Sequence, residues 1–257
     1  MFLSLASGSS ANAAIFKNND TTILIDCGLS GKKLTTALEN IGISPKEIDA
    51  LLITHEHSDH TAGAGIISRR FDIPVYATKE TFELLNVGPL SDKNINIINN
   101  TSSFEIGSIE VHTFPISHDA ANPVCYSLIS DNKKYSIATD TGIMTKEIFD
   151  SISGSDYIML ESNHDVDMLM YGVYPFELKK RISGKFGHMS NDLAASVAVK
   201  LLENNTKNIM LSHLSEKNNN PHIAYKTVEN TLRRAGAIIG KDINLQVAKR
   251  YEVTDFI

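Results

Sequence analysis

Residues 54–60 read Thr-His-Glu-His-Ser-Asp-His, so three histidines and two carboxylates lie within seven residues. The segment follows Ala50–Ile53, a short apolar run that is typical of a buried strand. Imidazole and carboxylate groups are the ligands that zinc and similar divalent ions prefer. A polar loop or a solvated histidine-rich stretch is the alternative, but ligands packed this densely after a strand favour a metal site.

The spacing within this segment distributes the ligands over two ions. Residues two apart in a tight loop can point the same way, so His55 and His57 can bind one ion. Asp59 and His60 lie further along the loop and can reach a second ion. The sequence therefore predicts two divalent metal ions, and while zinc suits the histidines, the oxygen ligands would also accept manganese.

Apolar runs separated by turn residues predict alternating strands and helices along the rest of the chain. The predicted strands are Thr21–Ile25, Ala50–Ile53, Pro74–Ala77, Ser108–Phe114, Val124–Ile129, Lys134–Ala138, Tyr157–Leu160 and Asn208–Leu211. The predicted helices are Lys32–Ile41, Lys79–Asn86, Pro175–Ile182, Asp192–Glu203 and His222–Ala235. Strands in both halves with helices between them predict an α/β fold, a four-layer αββα sandwich forming one domain over residues 1–257.

Composition narrows the class of protein. Of the 257 residues 42% are hydrophobic, enough for a sizeable core, and the longest apolar runs are too short to cross a bilayer. No basic residue precedes the apolar N-terminal stretch, so we expect no signal peptide. Cys27 and Cys125 form no disulfide framework and are interpreted as small buried residues. A cytoplasmic location is expected.

The net charge of −6 argues against a surface that is basic all over. It leaves nucleic acid open as a partner, because a basic rim can lie on an acidic protein. Short basic runs such as Lys179-Lys180-Arg181 are, taken singly, more typical of solvated helix faces. Charge alone therefore does not identify the substrate.

The histidine cluster resembles that of the metallo-β-lactamase superfamily, and the resemblance extends along most of the chain. In that family a strand-end Asp orients the cluster, a position matched by Asp26, although an Asp before Gly can also be a turn residue. A third His for the first ion follows a later strand. His118 fits this role better than His112, which lies within an alternating strand pattern. Asp140 matches the bridging Asp and His213 the last His.

The resemblance thus implies seven metal ligands, which are His55, His57, Asp59, His60, His118, Asp140 and His213. Bound divalent ions lower the pKa of water to about 7 and so provide a nucleophile at neutral pH. Asp59 would orient or deprotonate this nucleophile while binding the second ion. Family members with redox-active di-iron carry Glu in place of His57, so hydrolysis is favoured over oxygen reduction.

Two segment lengths exclude particular branches of the superfamily. Residues 141–212 separate Asp140 from His213, too few for the extra domain of the RNA-cleaving β-CASP nucleases. Residues 119–139 separate His118 from Asp140 and leave no room for the long substrate arm typical of RNase Z. The ligand pattern still resembles the RNase Z-like phosphodiesterases.

Four further segments resemble the bacterial YycJ/WalJ family. They are Ser-Gly-Ser-Ser-Ala-Asn at 7–12, Glu-Ser-Asn-His-Asp at 161–165, Gly-His-Met-Ser at 187–190 and His-Leu-Ser-Glu-Lys-Asn-Asn-Asn-Pro at 213–221. Ala11 departs from the pattern, where Gly is expected. The resemblance implies a 5′→3′ exonuclease on double-stranded DNA. The alternatives are a small-molecule phosphodiesterase that opens cyclic phosphates, or a non-catalytic signalling partner.

Hydrolysis of a diester also requires a proton for the leaving oxygen. The resemblance to RNase Z-like enzymes implies that His188 supplies it and that Glu161 pairs with His188. A neighbouring carboxylate keeps an imidazole protonated, as an acid requires. The alternative for His188 is a helix cap or a phosphate contact. His164 is the second candidate, as a substrate contact or an alternative ligand.

Overall fold

A computed structural model describes residues 1–256 of the chain. These residues divide into two compact units. Unit 1 comprises Met1–Pro115, Ala120–Ser130 and Lys249–Asp255, whereas unit 2 comprises Ile116–Asp119, Asp131–Ala248 and Phe256. The assignment of the whole chain to one domain stays a prediction.

The described residues form strands and helices in alternation. The strands are β1 (Phe2–Ala6), β2 (Ala13–Asn18), β3 (Thr21–Ile25), β4 (Ala50–Leu52), β5 (Val75–Thr78), β6 (Ile95–Ile98), β7 (Ser102–Ile106), β8 (Ile109–Pro115), β9 (Val124–Ser130), β10 (Lys133–Ala138), β11 (Tyr157–Glu161), β12 (Asn208–Ser212), β13 (Asn244–Val247) and β14 (Thr254–Asp255). The α-helices are α1 (Gly31–Asn40), α2 (Ser58–Thr61), α3 (Ala64–Phe71), α4 (Lys79–Leu84), α5 (Lys146–Ile152), α6 (Val166–Tyr171), α7 (Phe176–Ile182), α8 (Asn191–Glu203) and α9 (Pro221–Arg234). Two short 3₁₀ helices span Pro45–Glu47 and Asp92–Asn94.

Unit 1 contains a mixed sheet in the strand order β14-β1-β2-β3-β4-β5-β6. Strands β14, β1, β2 and β3 pair in antiparallel fashion, whereas β3, β4, β5 and β6 run parallel. The carboxyl ends of neighbouring parallel strands meet at one edge of a sheet. The residues that follow β3 and β4 therefore lie side by side, and they include Asp26 and the histidine cluster.

Apolar side chains on β3, β4 and α1 form the core of unit 1. Leu34 and Leu38 are one helical turn apart in α1 and are fully buried against a cluster that includes Leu24 and Leu51. The helix begins after Ser30, whose side chain accepts a hydrogen bond from the backbone N–H of Lys33. Strands β7, β8 and β9 form antiparallel pairs within the same unit.

Unit 2 contains four parallel strands that lie side by side in the order β13-β12-β11-β10. Helices α8 and α9 pack against each other and bury small and branched side chains such as Ala198 and Val228. Asp140 follows β10, Glu161 is the last residue of β11, and His213 follows β12. These three side chains therefore share one edge of the strands.

Every predicted strand and helix is present, with ends that shift by one or two residues, and the α/β class is confirmed. Strands β1 and β2 carry Ala, Ser and Asn among their apolar residues and were not predicted. Pro175 precedes α7 rather than lying in its first turn. In the part of the chain that the structure describes, each helix is too short or too polar to cross a membrane.

Candidate metal centre

Three of the predicted site residues adopt left-handed backbone conformations directly after parallel strands. The φ angles are +56° at Asp26, +59° at Asp140 and +57° at His213. Positive φ is uncommon for residues other than glycine, and it clusters at functional sites because the surrounding structure must hold it in place. The backbone thus indicates functional constraint at the same strand ends that the sequence singled out.

In unit 1, Asp26 organises the residues after β4. Its buried carboxylate accepts hydrogen bonds from the backbone N–H of Thr54 at 2.9 Å and from the hydroxyl of Thr54 at 2.9 Å. It also lies 2.7 Å from Nδ1 of His60. A proton held on Nδ1 leaves Nε2 of His60 as the ligand atom. Asp26 is therefore an orienting residue, in agreement with the role implied by the resemblance.

His55 and His57 turn ring nitrogens toward each other. Nε2 of His55 lies 3.1 Å from Nδ1 of His57, while Nδ1 of His55 lies 3.0 Å from the hydroxyl of Thr54. Because the Thr54 hydroxyl donates to Asp26, it accepts the Nδ1 proton of His55 and leaves Nε2 with a lone pair. Two imidazole nitrogens bound to one tetrahedral zinc ion lie about 3.3 Å apart. The observed separation fits a shared divalent ion.

Asn12 reaches the same group from the loop between β1 and β2. Its amide nitrogen lies 3.2 Å from Oδ2 of Asp59 and 3.0 Å from Nε2 of His60, and its backbone N–H donates to the carbonyl of Asp59 at 2.8 Å. The sequence identified residues 7–12 only as a segment that resembles the family, so the contact of Asn12 was not predicted. Ala11 is buried and is not among the residues with positive φ, so glycine is not required there.

Gly28 is needed for the close approach of two chain segments at this site. A Cβ atom on Gly28 would lie 1.7 Å from the carbonyl oxygen of Asp59 and 2.7 Å from the backbone nitrogen of Asn12. We expect Gly28→Ala to displace backbone and to lower the free energy of unfolding by about 3 kcal/mol. Gly42→Ala is the control, because its Cβ meets open space and it costs only the strain of positive φ, about 1 kcal/mol. Equal urea midpoints for the two variants would contradict this reading.

In unit 2, four side chains each place one ligand atom within 4.8 Å of the others, namely Asp140, Glu161, His188 and His213. Oε1 of Glu161 lies 2.8 Å from Nδ1 of His188 and 2.9 Å from Nδ1 of His213. Its Oε2 accepts backbone hydrogen bonds from Thr141 and Met189. Glu161 therefore holds two histidines at once.

The ionisation of Glu161 follows from these contacts. The side chain is fully buried, and burial by itself would raise its pKa. The charges and hydrogen bonds of His188 and His213 outweigh burial, so the net pKa lies well below the usual value. Glu161 is an ionised positioning residue and does not face solvent.

His118 lies in the loop after β8, with Nδ1 3.3 Å from the carbonyl oxygen of Gly187 and Nε2 3.9 Å from Asp140. Burial lowers the pKa of His118 more than the nearby carboxylates raise it, which favours the neutral form that binds metals. His112 instead pairs with Glu110 at 2.8 Å, and its side chain is 39% exposed. The structure therefore separates the two candidates, with His112 beside a surface carboxylate.

His188 and His164 differ in their access to solvent. The His188 side chain is 21% exposed, so Nε2 can face a substrate while Nδ1 contacts Glu161. His164 is buried, and its Nδ1 has no hydrogen-bond partner among the described residues. Burial lowers the pKa of His164 to about 4, so its imidazole is neutral near pH 7. His164 is thus poorly suited to donating a proton at neutral pH.

Buried amides fix the backbone around His213. The amide of Asn163 donates to the carbonyl oxygen of His213 at 2.8 Å, and the carbonyl of Asn163 accepts from the amide of Asn219 at 2.9 Å. Asn220 caps helix α9. The segment after His213 therefore serves the structure of this site, and Asn163 is a supporting residue that the sequence did not identify.

The donor set fits divalent metal ions. Four imidazoles each have one ring nitrogen near a protein group that can fix the ring: His55 with Thr54, His60 with Asp26, His118 with Gly187 and His213 with Glu161. Metal-binding histidines characteristically have such outer partners, which fix the ring and its tautomer. By contrast, Cys27 is fully buried, and burial raises the pKa of its thiol to about 12, so it is not a ligand candidate.

Known proteins similar to this chain support a metal-dependent hydrolase. Residues 21–214 match the family described as "Beta-lactamase superfamily domain". The exodeoxyribonuclease WalJ of Streptococcus pneumoniae is 38% identical over 247 residues, covering 94% of this chain and 91% of that protein. The exodeoxyribonuclease YycJ of Bacillus anthracis is 36% identical over 244 residues, covering 93% and 92% of the two chains.

Solved structures give the same fold. The metallo-β-lactamase fold protein YhfI from Bacillus subtilis matches with a TM-score of 0.75 and 14% identity, covering 98% of each chain. This likeness confirms the predicted α/β fold of the metallo-β-lactamase type. The chain therefore belongs to the metallo-β-lactamase superfamily of metal-dependent hydrolases and, within it, to the family of WalJ and YycJ.

Proposed function

We propose that this protein is a binuclear phosphodiesterase that degrades double-stranded DNA from its 5′ ends. The observation that carries the proposal is identity of 38% over 94% of the chain to an exodeoxyribonuclease. The order of ligands along the chain supports it, because every position of the superfamily's set is filled. The relatives' names supply the class of substrate, whereas duplex form and 5′→3′ polarity rest on the sequence resemblance.

The proposed ligands are the seven residues that the resemblance implies. Unit 1 contributes His55, His57, Asp59 and His60, and unit 2 contributes His118, Asp140 and His213. We propose zinc or manganese as the native ions. When bound, they would supply a nucleophile from water and neutralise charge on the phosphate.

Side chains of the protein would orient the attacking water and supply a proton to the leaving oxygen. The side chain of Asp59 is 24% exposed and contacts Asn12, so it can orient or deprotonate the attacking water. The proton for the leaving sugar oxygen would come from Nε2 of His188, while Glu161 holds Nδ1 of the same ring. His164 remains a candidate substrate contact or alternative ligand, as the resemblance implies.

The proposed activity is tested with a duplex that carries a 5′ phosphate and separate labels at the two ends of one strand. We expect rapid loss of the 5′ label as mononucleotide, with release of the 3′ label delayed in proportion to duplex length. Protein reconstituted with zinc and with manganese is assayed in parallel against single-stranded DNA, RNA and a cyclic phosphate. Simultaneous release of both labels would contradict the polarity.

A small-molecule phosphodiesterase is the second candidate, on the strength of the same ligand set. Salt distinguishes the two, because binding to nucleic acid through phosphates weakens steeply as salt rises. Hydrolysis of a small cyclic phosphate depends much less on salt. Intact DNA together with opening of cyclic phosphates, with either metal, would select this second function. A cytoplasmic location stays a prediction.

A further inference from the structure

An exposed segment lies between Glu161 and His188 in unit 2. From Met170 to Phe186 no residue is buried, and helix α7 within it has no buried side chain. We call Met170–Phe186 the arm. Helices in proteins are ordinarily stabilised by burying one apolar face. The arm buries no apolar face of its own, so its exposed apolar side chains need an explanation other than packing.

The arm exposes large apolar and aromatic side chains. Tyr171 is 87% exposed, Val173 90%, Phe176 70% and Phe186 53%. Among the described residues, thirteen large hydrophobic side chains are exposed, and five of them lie in the arm, these four and Met170. Large contiguous patches of exposed apolar groups mark interaction sites, whereas single exposed groups are normal.

The arm is also basic. It contains four positively charged residues, Lys179, Lys180, Arg181 and Lys185, and one negatively charged residue, Glu177. The net charge of the arm is therefore +3, in a chain whose net charge is −6. Cations near the end of α7 stabilise the helix dipole, but this does not account for Lys185, whose Nζ lies 4.8 Å from the centre of the Phe186 ring, or for the other exposed rings. Lysine is depleted from protein–protein interfaces, so this composition disfavours a second copy of the chain as the occupant. Positive charge beside aromatic rings is what single-stranded nucleic acid binds.

One contact of the arm and one of the residue that follows it lie next to proposed site residues of unit 2. The guanidinium of Arg181 donates to the carboxylate of Asp119, next to His118. Gly187, directly after the arm, accepts a hydrogen bond from Nδ1 of His118 at 3.3 Å and is followed by His188. A strand held on the arm would therefore lie beside the residue proposed to protonate its leaving oxygen.

We infer that the arm binds the unpaired end of a DNA strand, with bases stacked on Tyr171 and Phe176 and phosphates contacted by Lys180 and Lys185. Stacking requires free base faces, which an unpaired end offers and the interior of a duplex does not. This inference deepens the proposed function and rests on it. It assigns a substrate-binding role to residues outside the metal ligands.

The test measures binding of metal-free protein to fluorescent DNA by anisotropy, so that it does not depend on hydrolysis. In Lys180→Gln/Lys185→Gln we expect the Kd to rise about tenfold or more, and the slope of log K against log salt to fall by about two. Tyr171→Ser/Phe176→Ser should weaken binding to DNA with an unpaired 5′ end by about fivefold or more, and binding to a blunt, hairpin-closed duplex much less. Lys207→Gln and Leu84→Ser, both exposed outside the arm, are the matched controls.

Three outcomes decide against the inference. If the arm variants keep the wild-type Kd and salt slope while the wild-type protein hydrolyses DNA, the arm does not bind the strand and the proposed function is unaffected. Conversion of a dimer to a monomer by Tyr171→Ser/Phe176→Ser, with unchanged DNA binding, would identify a subunit interface. Failure of the wild-type protein to bind or cut any DNA would reject the proposed function and the arm together. Circular dichroism confirms that each variant is folded.

Discussion

A His55→Ala variant should lose bound metal and hydrolytic activity together. His55 is fully buried, and its Nε2 lies 3.1 Å from Nδ1 of His57 while Thr54 holds the opposite ring nitrogen. Alanine removes the ligand atom, and no neighbouring group of the cluster can replace it from the same position. Mutating an outer partner of a metal ligand already lowers metal affinity or activity by about 10–100-fold. Because His55→Ala removes the ligand itself, we expect its activity to fall by more than about 100-fold.

Metal content is measured by elemental analysis of protein purified without chelator, and hydrolysis is measured on the same samples. The wild-type protein should hold two ions per chain, and His55→Ala fewer. His112→Ala is the matched control, because His112 is a histidine in a surface pair with Glu110 and should keep both ions and activity. Wild-type protein that is reproducibly metal-free and active would end the binuclear hypothesis.

The second large effect is expected at His188. Its Nδ1 lies 2.8 Å from the buried carboxylate of Glu161, and its side chain is 21% exposed. This geometry leaves Nε2 able to donate a proton to a leaving oxygen. We expect His188→Ala to retain both metal ions but to lose about 10²–10⁴-fold in kcat on DNA, the usual magnitude of general acid catalysis.

Substrates with different leaving groups distinguish a general-acid role of His188 from a structural role. A nitrophenyl phosphodiester expels an anion that is already stable, so the loss in His188→Ala should shrink on that substrate. Glu161→Gln should lower activity on both substrates, because Glu161 also holds His213 at 2.9 Å. An equal loss on DNA and on the nitrophenyl ester in His188→Ala would assign His188 to binding or structure instead.

The fold and the main ligand positions could be predicted from local patterns. Short apolar runs ending in Asp or His predicted β3, β4, β10 and β12, and the structure places Asp26, His55, Asp140 and His213 directly after the strands or within three residues of them. Such positions are readable because parallel strands are buried on both faces and appear as unbroken apolar runs. The roles of His55, Asp140 and His213 as ligands stay predictions. Strand β1 was missed because its apolar residues are interrupted by Ser4 and preceded by no turn signal.

The sequence by itself determined the dense histidine segment, and the family resemblance that it carries implied the superfamily and the pairing of Glu161 with His188. Only the tertiary structure decided that Glu161 serves two histidines, that Asn12 contacts Asp59 and His60, and that His112 lies in a surface pair. It also decided that Met170–Phe186 carries exposed rings on a helix without a buried face. Those features depend on which atoms come within about 3 Å of each other and which face solvent. Such distances arise when segments far apart in the chain pack together, and no local pattern encodes them.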